Sequence, residues 1–141
     1  MRNRRDTKQI NDFIAEHGLR PSAQRIAILS YLMEHPVHPT AEEIHKALVD
    51  TMPTLSLTTV YNTLRLMSGH KVVNTLNIDP KNARFDYIDH PHAHIWCRKC
   101  GRIYDFHGRD ETAPPSAQLP GGFQVEEVEV YYKGICKECM T

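Results

Sequence analysis

The stretch HPHAHIWCRKCGRIYD, residues 90–105, decides the fold of the second half of this chain. Apolar, β-branched and aromatic residues on both sides of a Cys-x-x-Cys step predict two short strands joined by a tight turn. The turn carries Cys97 and Cys100, and we expect these two residues to lie across from each other.

That register places the other polar side chains of the stretch. Antiparallel pairing puts His94 opposite Ile103. One step further along, it puts His92 opposite Asp105. Because strand side chains alternate between faces, Cys97 points away from the face that carries the two histidines. We therefore expect two separate metal sites, one of thiolates and one of nitrogen and oxygen ligands.

Four cysteines are present, arranged as two Cys-x-x-Cys pairs, and they predict a tetrahedral structural zinc site; they are Cys97, Cys100, Cys136 and Cys139. The 35 residues between the pairs exceed the usual spacing of roughly 15 to 20. Doubling a loop costs only about 0.6 kcal/mol, so the longer connection is tolerated. A redox pair or unliganded thiols are the alternatives, but a redox Cys-x-x-Cys precedes a helix, and here both flanks predict strand.

Length and charge set limits on the architecture. The chain has 141 residues, enough for one domain or two small ones, and its 17 Lys+Arg balance its 17 Asp+Glu. Residues 1–82 carry a net charge of +2 and residues 83–141 a net charge of −2. The sign suits a DNA-binding first half, but the asymmetry is too small to establish one.

The absence of long apolar segments in the sequence indicates the cellular compartment. The start MRNRRD leads into a charged amphipathic segment without an apolar region, and no window approaches ~18 consecutive apolar residues. We therefore expect a cytoplasmic protein with no membrane association. Thiols stay reduced there, which favours metal binding over disulfides.

The first half predicts four helices and a hairpin. Apolar spacing and capping residues place the helices at 7–17, 22–35, 40–48 and 56–69, the third opened by a Thr-x-x-Glu capping box. Two β-rich runs within residues 72–88, joined by a four-residue turn, form the hairpin. This order is typical of a winged helix-turn-helix domain, although a helical domain that binds nothing fits it too.

The outer stripe of the fourth helix favours the DNA-binding alternative. Its side chains are donors suited to base edges and phosphates, and the helix has no carboxylate. Leu57, Val60, Tyr61, Leu64 and Met67 form the apolar stripe. The candidate DNA-binding residues are Arg20, Ser56, Thr58, Thr59, Tyr61, Asn62 and Arg65.

Two further residues are candidates for the nitrogen and oxygen site. His38 precedes the third helix, and Asp86 lies between the two halves. Taken singly, the first is typical of a solvated loop and the second of a surface charge. Together with His92, His94 and Asp105, they form a donor set suited to Fe(II), Mn(II) or Zn(II) rather than calcium or copper(I). A ligand set drawn from both halves is the geometry of a switch.

The remainder predicts a loop and a strand. Residues 109–122 are rich in proline and glycine, with room for at most one turn of helix. Residues 123–132 alternate as a strand with a bulge at 126–127, and this strand leads to the second cysteine pair.

These motifs resemble the ferric uptake regulator (Fur) family of metal-responsive repressors. The likeness runs through LRPSAQR at 19–25, HPTAEEI at 38–44, SLTTVYNTL at 56–64, RFD at 84–86 and HAHIWCRKCG at 92–101. It implies an α+β protein: an N-terminal winged helix at 1–82, a hinge at 83–88, and a small α/β dimerisation domain at 83–141 with the four-cysteine zinc site.

The resemblance also implies a function. The family's homodimers read an inverted-repeat operator in double-stranded DNA, and the likeness assigns the regulatory metal to His38, Asp86, His92, His94 and Asp105. Aspartate at positions 86 and 105 resembles the peroxide-sensing (PerR) branch, whereas iron sensors usually have glutamate there. In that branch Fe(II) reacts with hydrogen peroxide, and a liganding histidine is modified.

Two departures from the family pattern stand out. The segment 113–122, with three prolines and two glycines, replaces a longer helix of relatives, and the additional C-terminal histidines of some iron and zinc sensors are absent.

Three other functions compete with the peroxide-sensing repressor. One is an iron- or zinc-responsive uptake regulator of the same family. Another is a non-haem metalloenzyme with an open iron position, but five protein ligands fill the site and no general base is evident, so we expect no enzyme. The third is a zinc-stabilised interaction module that does not bind DNA.

Overall fold

The structure, a computed structural model, describes residues 6–87, 93–106, 120–125 and 128–140. It divides into two units, Met1–Ile88 and Asp89–Thr141. The division falls later than the boundary expected after residue 82. The reason is that the second strand of the hairpin, which follows residue 82, pairs with the first strand and belongs to the first unit.

Four helices form the bulk of the first unit, as the sequence predicts. They are α1 (Thr7–Glu16), α2 (Ala23–Glu34), α3 (Ala41–Leu48) and α4 (Leu57–Gly69). Gly18 follows α1 with φ +82°, a backbone conformation that glycine adopts without steric cost and that ends the helix.

Side-chain caps explain where three of these helices begin. Ser22, Thr40 and Ser56 precede α2, α3 and α4, and each side-chain oxygen accepts the backbone N–H three residues on. Such bonds satisfy donors that have no partner within the helix. The caps therefore fix where α3, which follows His38, begins. They also fix where α4, the helix predicted to read DNA, begins.

The apolar stripes of the helices pack into one core with the hairpin. Its most buried members include Ile14, Ile28, Leu29, Ile44, Val60, Leu64 and Met67. One residue expected on the apolar stripe of α4 differs: Tyr61 is 36% exposed. Thr63 takes an inward position on α4 instead, because the helical turn carries Tyr61 to the edge of the stripe.

The predicted hairpin is present in the first unit. It consists of β1 (Val73–Leu76) and β2 (Arg84–Tyr87), paired antiparallel with Thr75 opposite Phe85. The N–H of Phe85 also donates to the carbonyl of Pro39, at 3.0 Å. This bond holds β2 beside the segment that leads into α3.

The second unit contains a three-stranded sheet. Its strands are β3 (Ala93–Cys97), β4 (Ile103–Phe106) and β5 (Tyr131–Gly134), in the order β4-β3-β5. The β3–β4 pair is antiparallel, and β5 runs parallel to β3. A short 3-10 helix, Lys137–Met140, follows β5 and carries the last cysteine.

The predicted register of the β3–β4 hairpin is wrong by two residues. His94 lies opposite Asp105, and the N–H of Cys97 donates to the carbonyl of Arg102 at 3.0 Å. The loop extends to Gly101, whose φ is +80°, so Cys100 lies within the loop and its N–H donates to Sγ of Cys97 at 3.5 Å. A shift of two residues leaves every side chain on its expected face.

The strand predicted over residues 123–132 is shorter and later than expected. Residues 123–125 and 128–130 lie outside any strand, and pairing with β3 begins only at Tyr131. The bulge expected at 126–127 lies outside the described residues. Among the described helices, none combines the length and apolar character needed to cross a bilayer.

Candidate metal centres and DNA-binding face

The four cysteines converge in the second unit. Their Sγ atoms all lie within 4.8 Å of one another, and those of Cys100 and Cys136 are 3.9 Å apart. In a tetrahedral site with zinc–sulfur bonds of about 2.3 Å, neighbouring sulfurs lie roughly 3.8 Å apart. The cluster therefore has the dimensions of a four-thiolate zinc site, which the sequence predicts.

Backbone N–H groups stabilise the thiolate form of one cysteine in this cluster. The N–H groups of Cys100 and Cys136 donate to Sγ of Cys97, at 3.5 and 3.3 Å, and lower the pKa of this thiol to about 6. The hydrogen bond between Cys139 and Cys136 raises the pKa of the Cys139 thiol to about 12. Four close thiols cannot all ionise without a positive charge among them, so the donor set fits zinc.

A second pair of possible ligands lies on the other face of the same sheet. Nε2 of His94, on β3, lies 3.6 Å from Oδ1 of Asp105, on β4. The histidine side chain is 4% exposed and the aspartate side chain 26% exposed. The observed register brings this pair together, since His94 and Asp105 are direct cross-strand neighbours.

The first unit contains a similar pair. Nε2 of His38 lies 3.9 Å from Oδ2 of Asp86, and both side chains are buried. Ligand atoms bound at about 2.1 Å to one ion lie roughly 3.0–3.5 Å apart, slightly closer than either pair. Each pair thus needs only a small contraction to bind one ion, with donor types suited to Fe(II), Mn(II) or Zn(II).

One predicted ligand and one residue that the prediction did not include remain. His92 lies outside the described residues. Arg84, which sequence reasoning does not single out, donates to the carbonyl of His38 at 3.3 Å. The sequence signals for Arg84 are its place in the RFD motif at 84–86 and its position two residues before Asp86 on the same strand.

The predicted DNA-binding residues lie in the first unit on and beside α4. Thr58, Asn62 and Arg65 are exposed on the helix, and Thr59 is half-buried. Arg20 lies across from them on an open pocket of about 350 Å³. The pocket is lined by Arg20, Ser22, Gln24, Arg25, Thr59, Asn62, Thr63 and Leu66.

Two details of this face are not evident from the sequence. The hydroxyl of Ser56 caps α4 and donates to Oγ1 of Thr59 at 2.8 Å, so it is engaged within the protein. Tyr61 donates to Glu42 of α3, which adds a carboxylate to a face predicted to have none. A contact between residues 19 positions apart leaves no local sequence pattern.

Comparisons with known proteins agree with this architecture. The model of the ferric uptake regulator family matches residues 16–133. The peroxide operon regulator of Bacillus subtilis is 38% identical over 136 residues, covering 95% of this chain and 93% of that protein.

Two solved structures extend the comparison. The PerR of Streptococcus pyogenes, described in terms of peroxide sensing and gene regulation, has a TM-score of 0.53 at 30% identity, covering 94% of this chain and 92% of that one. The ferric uptake regulator of Pseudomonas aeruginosa with manganese has a TM-score of 0.74 at 24% identity, covering 90% and 97%, and bears on the fold alone.

A helical domain with a hairpin wing, followed by a sheet with a four-cysteine cluster, defines a metal-binding transcriptional regulator. The family match covers most of the chain and the Bacillus relative almost all of it. The chain belongs to the ferric uptake regulator family, whose members are DNA-binding, dimeric transcriptional regulators and not enzymes.

Proposed function

We propose that this protein is a peroxide-sensing transcriptional repressor that works as a homodimer on an inverted-repeat operator in the cytoplasm. One structural zinc is held by the four cysteines. A separate Fe(II) or Mn(II) is held by five regulatory ligands, His38, Asp86, His92, His94 and Asp105.

The observation that carries the proposal is a repeated pairing. Each unit contributes a buried histidine facing an aspartate, His38 with Asp86 and His94 with Asp105. Buried imidazole–carboxylate pairs are a frequent arrangement around first-row metals. One ion shared by both pairs joins residues from the two halves of the chain.

The proposal that the signal is peroxide rests on the residue types at two positions and on the names of two relatives. Aspartate occupies positions 86 and 105, where the resemblance places glutamate in iron sensors. The Bacillus relative is named a peroxide operon regulator, and a Staphylococcus epidermidis relative, 40% identical over 123 residues, a peroxide-responsive repressor. Iron- or zinc-responsive regulation is the alternative within the family.

Metal binding controls DNA binding through population shift. An ion shared by the two pairs stabilises only the arrangement in which both halves contribute ligands. That arrangement presents the two α4 helices of a dimer at the spacing of two half-sites. Metal and operator then tighten each other's binding by the same factor.

Hydrogen peroxide ends the metal-dependent binding of the operator by altering a ligand of the regulatory metal. An Fe(II) ion held by the five ligands would supply the redox chemistry that activates the O–O bond of hydrogen peroxide. In the net reaction, one oxygen atom enters a ring C–H bond of His38 or His92, hydrogen peroxide is reduced to water, and the imidazole loses two electrons. The product ring is a poorer ligand, so the ion and the operator are released.

A gel-shift experiment tests the regulatory part directly. Zinc-loaded protein should shift operator DNA with Mn(II) added and fail to shift it after selective chelation of the regulatory metal. Equal binding with and without Mn(II) would contradict a metal-dependent repressor.

A further inference from the structure

His38 has an unusual backbone for a residue other than glycine. Its φ is +57°, in the left-handed region, and its side chain is buried. L-residues with a Cβ adopt this region at a cost in free energy. Surrounding contacts must therefore hold the conformation, and such residues concentrate at functional sites.

Two bonds from β2 hold this segment. The guanidinium of Arg84 donates through Nη1 to the carbonyl of His38, at 3.3 Å. The N–H of the next residue, Phe85, donates to the carbonyl of Pro39, at 3.0 Å. Consecutive residues of the strand thus hold consecutive carbonyls of the loop.

Arg84 is itself fixed by an acid in the hairpin turn. Its Nε and Nη2 both donate to Oδ2 of Asp79, at 3.3 and 3.2 Å, and the Asp79 side chain is 9% exposed. Glu43 lies farther away, at 3.6 Å, and is 53% exposed. The planar fork of arginine spans the acid and the carbonyl at once, which a lysine ammonium cannot reproduce.

We infer that Arg84 is a positioning residue for the regulatory metal. It holds the left-handed backbone of His38, so that the imidazole stays directed at Asp86 before any ion arrives. Arg84 does not touch the ion and acts only through His38. The inference rests on the proposed regulatory site and assigns a role to a residue outside its ligand set.

The test is a double-mutant cycle on Mn(II) affinity, measured by electron paramagnetic resonance titration of zinc-loaded, full-length protein. Arg84→Lys should weaken Mn(II) binding by about 10- to 100-fold, the usual effect of losing a group that orients a ligand. In a His38→Ala background, the same substitution should have no further effect. Glu43→Gln, which removes only the distant exposed contact, should leave the affinity unchanged.

Asp79→Asn provides a second variant in case Arg84→Lys unfolds the domain. It keeps the shape of the acid while removing its charge, so it should give a smaller loss that His38→Ala also abolishes. Wild-type affinity in both folded variants would overturn the inference, as would an equal loss in the His38→Ala background. Wild-type protein that binds no Mn(II) beyond its zinc would overturn the proposed function as well.

Discussion

The hydroxyl of Tyr61 on α4 donates a hydrogen bond to Oε1 of Glu42 on α3, with an oxygen–oxygen distance of 2.5 Å. This bond lowers the pKa of the Glu42 carboxyl, and the carboxylate in turn raises the pKa of the Tyr61 phenol. Glu42 is therefore ionised, and Tyr61 protonated, across the neutral range. The contact fixes an exposed aromatic ring on the helix predicted to read DNA.

The first prediction concerns this reading face. Tyr61→Ala or Arg65→Ala should weaken operator binding by about 1–3 kcal/mol if each loses a base contact, and should relax specificity at one operator position. Arg20→Ala should instead weaken all sequences alike and reduce the salt dependence, as expected for a backbone contact. Fluorescence anisotropy against operator and scrambled duplexes at several salt concentrations separates these outcomes. Unchanged binding in all three variants would exclude α4 as the reader.

The second prediction concerns the zinc site. Replacing any of the four cysteines by serine should release zinc and unfold the second unit or dissociate the dimer, because a structural zinc contributes folding free energy. Metal analysis and analytical ultracentrifugation provide the measurement. A folded dimer of the Cys97→Ser variant without zinc would contradict a structural role.

The same site has a defined pH dependence. The two N–H donors hold the pKa of the Cys97 thiol at about 6, whereas the pKa of the Cys139 thiol is about 12. Zinc binding must therefore displace protons, above all from Cys139, and should weaken as the pH falls. Zinc affinity, measured by competition with a chelating dye, should decrease between about pH 8 and about pH 6. An affinity that does not change with pH would contradict binding by thiolates.

A third prediction separates a structural from a DNA-contacting role for Ser56. Its Oγ accepts the N–H of Thr59 at 3.0 Å as the cap of α4. Ser56→Ala should lower the free energy of unfolding by about 1 kcal/mol, as for other lost caps. Ser22→Ala, at the equivalent position of α2, is the matched control and should cost a similar amount in urea unfolding. A stability unchanged by Ser56→Ala would contradict the capping role.

Local patterns were sufficient to predict the helices and the four-cysteine cluster. Ser22, Thr40 and Ser56 mark helix starts because each caps a backbone N–H three residues later. A Cys-x-x-Cys pair is recognisable because both of its cysteines lie within four consecutive residues. Such features depend on residues within one turn of each other, so a single sequence contains them. The face on which His94 lies follows equally from strand alternation.

The errors came from contacts that local patterns do not encode. The β3–β4 register depends on how the Cys-x-x-Cys loop turns at Gly101, and a period of two cannot distinguish registers that differ by two residues. The alternation of residues 123–132 predicted a strand, but among the described residues of this range, only those beside β3 have a strand partner. The roles of Arg84 and Glu42 depend on contacts with distant parts of the chain.

The fourth prediction tests the switch. His38→Ala removes a proposed ligand from the first unit and leaves the four cysteines unchanged. It should abolish Mn(II)-dependent operator binding with zinc content and thermal stability close to those of the wild type. A His38→Ala variant that still requires Mn(II) for full operator affinity would remove His38 from the regulatory site.

The central claim is that an iron ion at the regulatory site makes the protein sensitive to peroxide. The most direct measurement is mass spectrometry of operator-bound protein, loaded with Fe(II) or Mn(II) and treated with hydrogen peroxide. The Fe(II) form should release DNA and gain the mass of one oxygen atom on a peptide containing His38 or His92, whereas the Mn(II) form should stay bound and unmodified. An Fe(II) form that keeps its DNA with no gain in mass would contradict peroxide sensing and favour an iron- or zinc-responsive regulator.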